Sequence, residues 1–264
     1  ILKTDNLKDL KLNNKKINLI NVSLKKSSNS KQRFNLSQDY IKNSFEIAIK
    51  LIKSGFSNKI INGPINKMKF LKRKYLGVTE YMASKFNKKK IGMLIYNEEL
   101  SVCPLTTHLP LKLVPKKITK KLIEEKIFII DNFFKKTLNF KPKIAVTGLN
   151  PHCETVLDFN EDQKIVSMAI KSSKRKKINV KGPFPADTLF MKKNRKKYDV
   201  VLGMYHDQVL TPIKTLFEYD AINVTMGLPF LRVTPDHGPN EKMFNKNLSS
   251  PISLLKALKF LDKK

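Results

Sequence analysis

The chain contains four histidines: His108, His152, His206 and His237. Three of them directly follow apolar runs that read as strands. Leu100 to Leu105 precedes His108, Ile144 to Gly148 precedes His152, and Asp199 to Met204 precedes His206. Neutral imidazole is the commonest ligand for Zn and similar ions. Three protein ligands leave positions open for a substrate, as in a catalytic metal site. No local zinc motif such as HExxH is present, so spacing by itself leaves a purely structural role equally open. A second set is Lys214, Asn223 and Arg232. Arg232 is one of only five Arg and stands in an apolar stretch after Gly227-Leu228-Pro229-Phe230. Lys, Arg and Asn beside a metal suit a small anionic substrate bearing phosphate or carboxylate. A salt-bridged core arginine is the alternative.

These groups need elements to hold them. Ser37 to Ile52 has the 3–4 spacing of a buried helix face, with Gly55 as its C-cap. Lys59 to Ile61 reads as a strand, and Thr79 as the cap of a helix through Phe86. Ile91 to Tyr96 and Leu100 to Leu105 read as neighbouring strands. An amphipathic helix spans about 118–138, and a further helix 160–172. Strands follow at Ile144 to Gly148, Asp199 to Met204 and Ala221 to Met226. Helices are expected near Pro212 to Tyr219 and over Pro251 to Leu261. This alternation predicts a mostly parallel α/β sheet. Polar groups follow the strands: Gly63-Pro64-Ile65-Asn66-Lys67, Thr106-Thr107-His108, Asn150-Pro151-His152 and Tyr205-His206-Asp207. Ligands bind at the carboxyl ends of strands in open α/β sheets, so these loops are expected to converge on one site.

Composition narrows the function classes. At 264 residues the chain fits one large domain or two modest ones. Its net charge is +30, yet 52 basic residues include only five Arg. Arg is the residue for bidentate phosphate and base reading. The Lys is spread along the chain with abundant Ile and Asn, which reads as compositional bias. The clusters 174–177 and 192–197 read as solvated surface, and no specific nucleic-acid partner is expected. No apolar run of about 18 residues occurs, so no membrane span is expected. The polar N-terminus lacks the apolar core of a signal peptide. Cys103 and Cys153 cannot make a disulfide framework, so a reducing, cytoplasmic location is expected. GxGxxG, GxxxxGK[ST] and GxSxG are absent, so a Rossmann fingerprint, a P-loop and a nucleophile elbow are unsupported.

Six ordered motifs carry a resemblance. They are Gly63-Pro64-Ile65-Asn66-Lys67, Thr107-His108-Leu109-Pro110-Leu111, Gly148-Leu149-Asn150-Pro151-His152, the run Gly182 to Phe190, Tyr205-His206-Asp207-Gln208, and Gly227-Leu228-Pro229-Phe230-Leu231-Arg232. Over about residues 40–240 the chain resembles the 4-hydroxythreonine-4-phosphate dehydrogenase family of pyridoxal phosphate biosynthesis. The resemblance implies an α/β fold like that of isocitrate and isopropylmalate dehydrogenases, with two domains and a cleft between them. The first would comprise 1–76 plus 212–264 on the nucleotide side, N-terminally incomplete. The second, 77–211, would bind metal and dimerise. It implies a homodimer that binds NAD and one divalent ion, Zn, Mg or Co, per subunit.

The resemblance places the metal on His108, His152 and His206. It places a small phosphorylated amino-acid substrate on Thr79, Lys214, Asn223 and Arg232, the cofactor on Asp236, His237 and Gly238, and proton relay on Asp187 or Lys214. The implied reaction oxidises 4-phosphooxy-L-threonine at C3 and releases carbon dioxide. The chain departs from the family's pattern at Val78, where the family has a substrate-binding His. It also departs in the loops after His152 and His237, and at its start, about fifty residues late. Val78 keeps a dehydrogenase of a four-carbon sugar-acid phosphate as an alternative. The charge and late start keep an inactive polyanion-binding homologue as another. Val78→His is expected to tighten binding of 4-phosphooxy-threonine.

Overall fold

The structure is a computed structural model. It describes residues 12–264 except 14, 26, 67–69, 72, 73, 76, 157, 240 and 244, and the backbone alone at 30, 31, 33 and 241. Lys67 of the first motif thus lies outside the described residues.

Helix α1 (Ser30–Lys53) begins seven residues before the periodic stretch, because the Asn29 side chain accepts from the Gln32 N–H at 3.1 Å. It closes at Ser54, and Gly55 follows with φ +77°. Strand β1 (Lys59–Ile61) leads toward α2 (Val78–Lys85). Thr79 does not cap α2. Gly77 occupies that position without a side-chain bond, and the Thr79 hydroxyl accepts from Arg232 instead. Strands β2 (Gly92–Tyr96) and β3 (Ser101–Thr106) follow, then α3 (Val114–Lys117) and α4 (Lys120–Phe133). Thr119 caps α4 through the Leu122 N–H, and a π-turn over Phe134–Leu138 extends it.

The second half comprises β4 (Ile144–Thr147), α5 (Ser167–Arg175), β5 (Val180–Phe184), α6 (Ala186–Leu189) and α7 (Lys192–Arg195). Then come β6 (Val200–Tyr205), α8 (His206–Phe217), β7 (Ile222–Met226), β8 (Leu231–Pro235) and α9 (Ile252–Asp262). Helix α8 starts at His206, well before the expected Pro212, which sits inside it. Residues 180–184 and 231–235 are strands beyond those expected from the sequence. Pro183 interrupts the first, which is tolerated because β5 is an edge strand.

The described strands form one eight-stranded sheet in the order β1-β8-β7-β2-β3-β6-β4-β5. It is mixed rather than mostly parallel. Strands β1/β8, β3/β6, β4/β6 and β4/β5 pair parallel, whereas β2/β3, β2/β7 and β7/β8 pair antiparallel. The reason is connection length. Only residues 97–100 join β2 to β3 and 227–230 join β7 to β8, far too short for a parallel crossover. Gly227 makes the second turn possible. Its φ is +90°, and a Cβ there would lie 2.3 Å from the Lys90 carbonyl oxygen.

The strands from 1–76 and 212–264 (β1, β8, β7) lie together at one end of the sheet, and those from 77–211 at the other. The ladder is continuous across that boundary through β7 and β2. Ile123, Ile127 and Ile130 of α4, Ile170 of α5 and Phe260 of α9 pack in one cluster with Leu94, Val146, Leu202 and Val224 of the sheet. Val209 and Ile213 of α8 pack with Ile95, Val102 and Val201 in another. A third cluster joins Phe45 and Ile49 of α1 to Val78, Tyr81 and Met82 of α2. Among the described residues no helix is long and apolar enough to cross a membrane. Of the basic clusters, Arg195 is not idle surface: it is paired with Glu99 at 3.3 Å and only 14% exposed.

Candidate active site

A cleft of about 930 Å³ opens at the ends of the central strands. It is lined by the loop after β1 (Asn62 to Asn66), the start of α2, His108 after β3, His206 at the head of α8, Asn223 of β7, and the end of β8 through Pro239. Three of the four polar strand-end groups therefore converge. The fourth, Asn150-Pro151-His152, does not line the cleft.

Arg232 anchors one wall. It projects from β8 and is 3% exposed. Its Nε donates to Asn62 Oδ1 at 3.0 Å, and Nη1 donates to the hydroxyls of Thr225 at 2.7 Å and Thr79 at 3.1 Å. Among the described residues Nη2 has no partner, which leaves its N–H donors for a ligand. Burial pulls the guanidinium down to about 10, opposed by the Glu80 carboxylate, so it stays cationic at neutral pH. Asn223 adds a buried Oδ1 acceptor with no partner. Such an orphan calls for a donor on a bound molecule. Lys214, from α8, lies against both the backbone carbonyl and the carboxylate of Asp236. Burial pushes the Asp236 carboxyl up, with Lys214 opposing.

In the same cleft, the rings of His108 and His206 lie 5.7 Å apart, centre to centre. His206 Nδ1 is 2.6 Å from Asp207 Oδ1. A carboxylate on one ring nitrogen directs the other outward, the usual arrangement behind a metal-binding imidazole. Two imidazoles in one cleft are the donor type that suits a divalent cation. The pair therefore fits a divalent cation. Among the described residues, however, no group of three His, Cys, Asp or Glu converges to hold one. His152 is exposed, with φ +55°, in the turn after β4. Asp187 is also exposed and outside the cleft. It sits near Cys153, whose thiol is pushed up to about 11 by burial first, then by Asp162 and, more weakly, Asp187. His152 and Asp187 thus flank one patch, apart from the other candidates.

Asp236, His237 and Gly238, directly after β8, line the rim of the cleft. Thr225 and Asn62 are site residues that sequence reading missed. Nothing local marks them, since both act through Arg232. Val78 lines the cleft but is 5% exposed and packs with the α1–α2 cluster. An imidazole there would be partly buried, at a cost of about 1–3 kcal/mol. Val78→His is therefore expected to lower stability by that amount in denaturant titration while lowering the Michaelis constant for 4-phosphooxy-threonine. A raised Michaelis constant would show that the pocket has no place for the extra donor.

A family profile described as pyridoxal phosphate biosynthetic protein PdxA matches residues 2–261. The chain is 37% identical over 247 residues to a protein of Sulfurihydrogenibium sp. named 4-hydroxythreonine-4-phosphate dehydrogenase, covering 92% of this chain and 74% of that one. It spans 64% of the length of further relatives of that name. The crystal structure of the Klebsiella pneumoniae 4-hydroxythreonine-4-phosphate dehydrogenase superposes with a TM-score of 0.72 at 33% identity, over 87% of this chain and 71% of that one. Isocitrate dehydrogenase of Methylococcus capsulatus, 11% identical, shares the fold with a TM-score of 0.51 over 78% of this chain and 68% of its own. The α/β fold is thus isocitrate dehydrogenase-like, and the chain belongs to the PdxA family of pyridoxal phosphate biosynthetic proteins.

Proposed function

We propose that the protein is an oxidoreductase that oxidises 4-phosphooxy-L-threonine at C3 with NAD and decarboxylates the product to 3-amino-2-oxopropyl phosphate. It would act in the cytoplasm as a homodimer, in pyridoxal 5'-phosphate biosynthesis. The observation that carries this reading is that one cleft holds both sets of groups. Arg232, with its unpartnered Nη2, and Lys214 supply groups for an anion, and the His108–His206 pair lines the same cleft. A short substrate with phosphate at one end and a carboxylate and hydroxyl at the other suits that layout. The names of the relatives support it.

This chain's residues have separable roles in the proposed reaction. Arg232 and Thr79 bind one anionic end, and Asn223 Oδ1 accepts from a donor on the substrate, such as its ammonium. Lys214 Nζ is the group of this chain placed to exchange a proton with the bound ligand, while Asp236 holds it in place. His108 and His206 would hold the cation from this chain. His152 and Asp187 would reach a cleft only from a second copy. The exposed apolar side chains of Val156, Phe159 and Met191 flank these two residues in sequence and support a covered face there. NAD would supply the hydride acceptor, and a cation held by His108 and His206 would favour loss of the hydroxyl proton and stabilise negative charge on that oxygen.

The test is NADH formation on 4-phosphooxy-threonine and on phosphorylated four-carbon sugar acids, with and without added divalent cation. Turnover of the sugar acids alone would move the assignment to them. His237 lines the rim with its Nδ1 3.0 Å from the Gly238 carbonyl oxygen. His237→Ala is expected to raise the Michaelis constant for NAD roughly two- to tenfold, the loss of one hydrogen bond. Cation content should not change. Metal loss at unchanged NAD affinity would remove His237 from the nucleotide side.

A further inference from the structure

Strands β4 and β6 run parallel in register through Val146 and Leu202, and there the ladder ends. Beyond that point one strand runs toward His152 and the other into His206. The Gln208 side chain fills the gap. Its Oε1 accepts from the Thr147 hydroxyl and from the Met204 N–H, both at 2.7 Å, and its Nε2 donates to the Gly148 carbonyl at 2.8 Å. One side-chain amide thus does what the next peptide of a ladder would do. The fit is tight. A Cβ on Gly203 would lie 2.3 Å from Val209 Cγ1 and 3.2 Å from Gln208 Oε1, so only glycine lets α8 begin this close to β6.

The loop after Gly148 is then held by Asp162, which is fully buried. Its carboxylate accepts from the N–H groups of Leu149 at 2.5 Å and Asn150 at 3.0 Å. Gln208 itself does not line the cleft. We infer that Gln208 is a positioning residue that fixes His206 and the His152-bearing loop relative to each other through Thr147, Gly148 and Met204. The inference rests on the proposed metal role of these histidines for its functional consequence, but not for its geometry.

Gln208→Glu tests it. The introduced carboxylate keeps the size and the acceptors but sets an oxygen against the Gly148 carbonyl. Thr147→Val is the milder companion, removing one donor only. In proteins labelled at histidine, the ring resonances of both His152 and His206 are expected to shift or broaden in Gln208→Glu, and less so in Thr147→Val. Those of His237 should stay in place. Co2+ binding, by equilibrium dialysis, should weaken about tenfold in Gln208→Glu, as expected when one buried hydrogen bond is lost. Unmoved His152 and His206 resonances would overturn the inference, as would an equal shift at His237, the mark of general loosening. Absence of Co2+ binding by the unmodified protein would count against the metal reading, and the resonances would still decide the role of Gln208.

Discussion

A mixture of His108→Ala and His152→Ala chains, each inactive alone, is expected to recover about one quarter of the unmodified activity after co-refolding or co-expression. The cleft of one chain holds His108 and His206 but not His152. If a second copy supplies His152, the mixed dimer has one site with every histidine intact and one lacking two. Random pairing makes half the dimers mixed, which leaves about a quarter of all sites whole, because a two-fold interface makes the two sites reciprocal. Each single variant should lose at least two to three decades of rate, on the scale of the several kcal/mol a catalytic cation contributes. Steady-state NADH formation and sedimentation of the mixture measure both. No recovery from a demonstrably mixed dimer, with each variant inactive alone, would mean that His152 acts in its own chain's cleft and not in its partner's.

Arg232→Leu is expected to lower stability by about 3–5 kcal/mol, the usual cost of removing one partner from a buried charged network. Four groups depend on this guanidinium. Asn62, Thr79 and Thr225 accept from it, and the buried Glu80 Oε2, which has no hydrogen-bond partner, has its charge offset by it. Arg232→Lys keeps the charge but lacks the planar fork that spans several acceptors. It should fold and still lose roughly one to two decades of substrate affinity. Denaturant unfolding and substrate titration separate the two effects. A stable Arg232→Leu protein with unchanged substrate affinity would mean that this network neither holds the wall nor binds the anion.

Much of this organisation was legible in the sequence, for a local reason. The 3–4 spacing over 37–52 and the apolar periodicity over 118–138 sit in α1 and α4 with its π-turn. The short apolar runs sit in β2, β3, β4, β6 and β7. Periodicity is set by near neighbours, so it survives in one dimension. The chemical types at the strand ends, imidazole, guanidinium, ammonium and amide, were legible for the same reason. The folded chain alone decided which of them meet. Arg232 reaches Thr79 across 153 residues and Asn62 across 170. The Asn62 contact follows from β1 pairing with β8, a choice no local pattern encodes. Two hairpin connections too short to cross over turned a mostly parallel sheet into a mixed one. The order of its strands put His108 and His206 ring against ring and carried His152 elsewhere. Three equivalent strand ends looked alike in sequence, but a cleft is bounded by neighbouring strands, and β4 lies one place beyond β6, outside it.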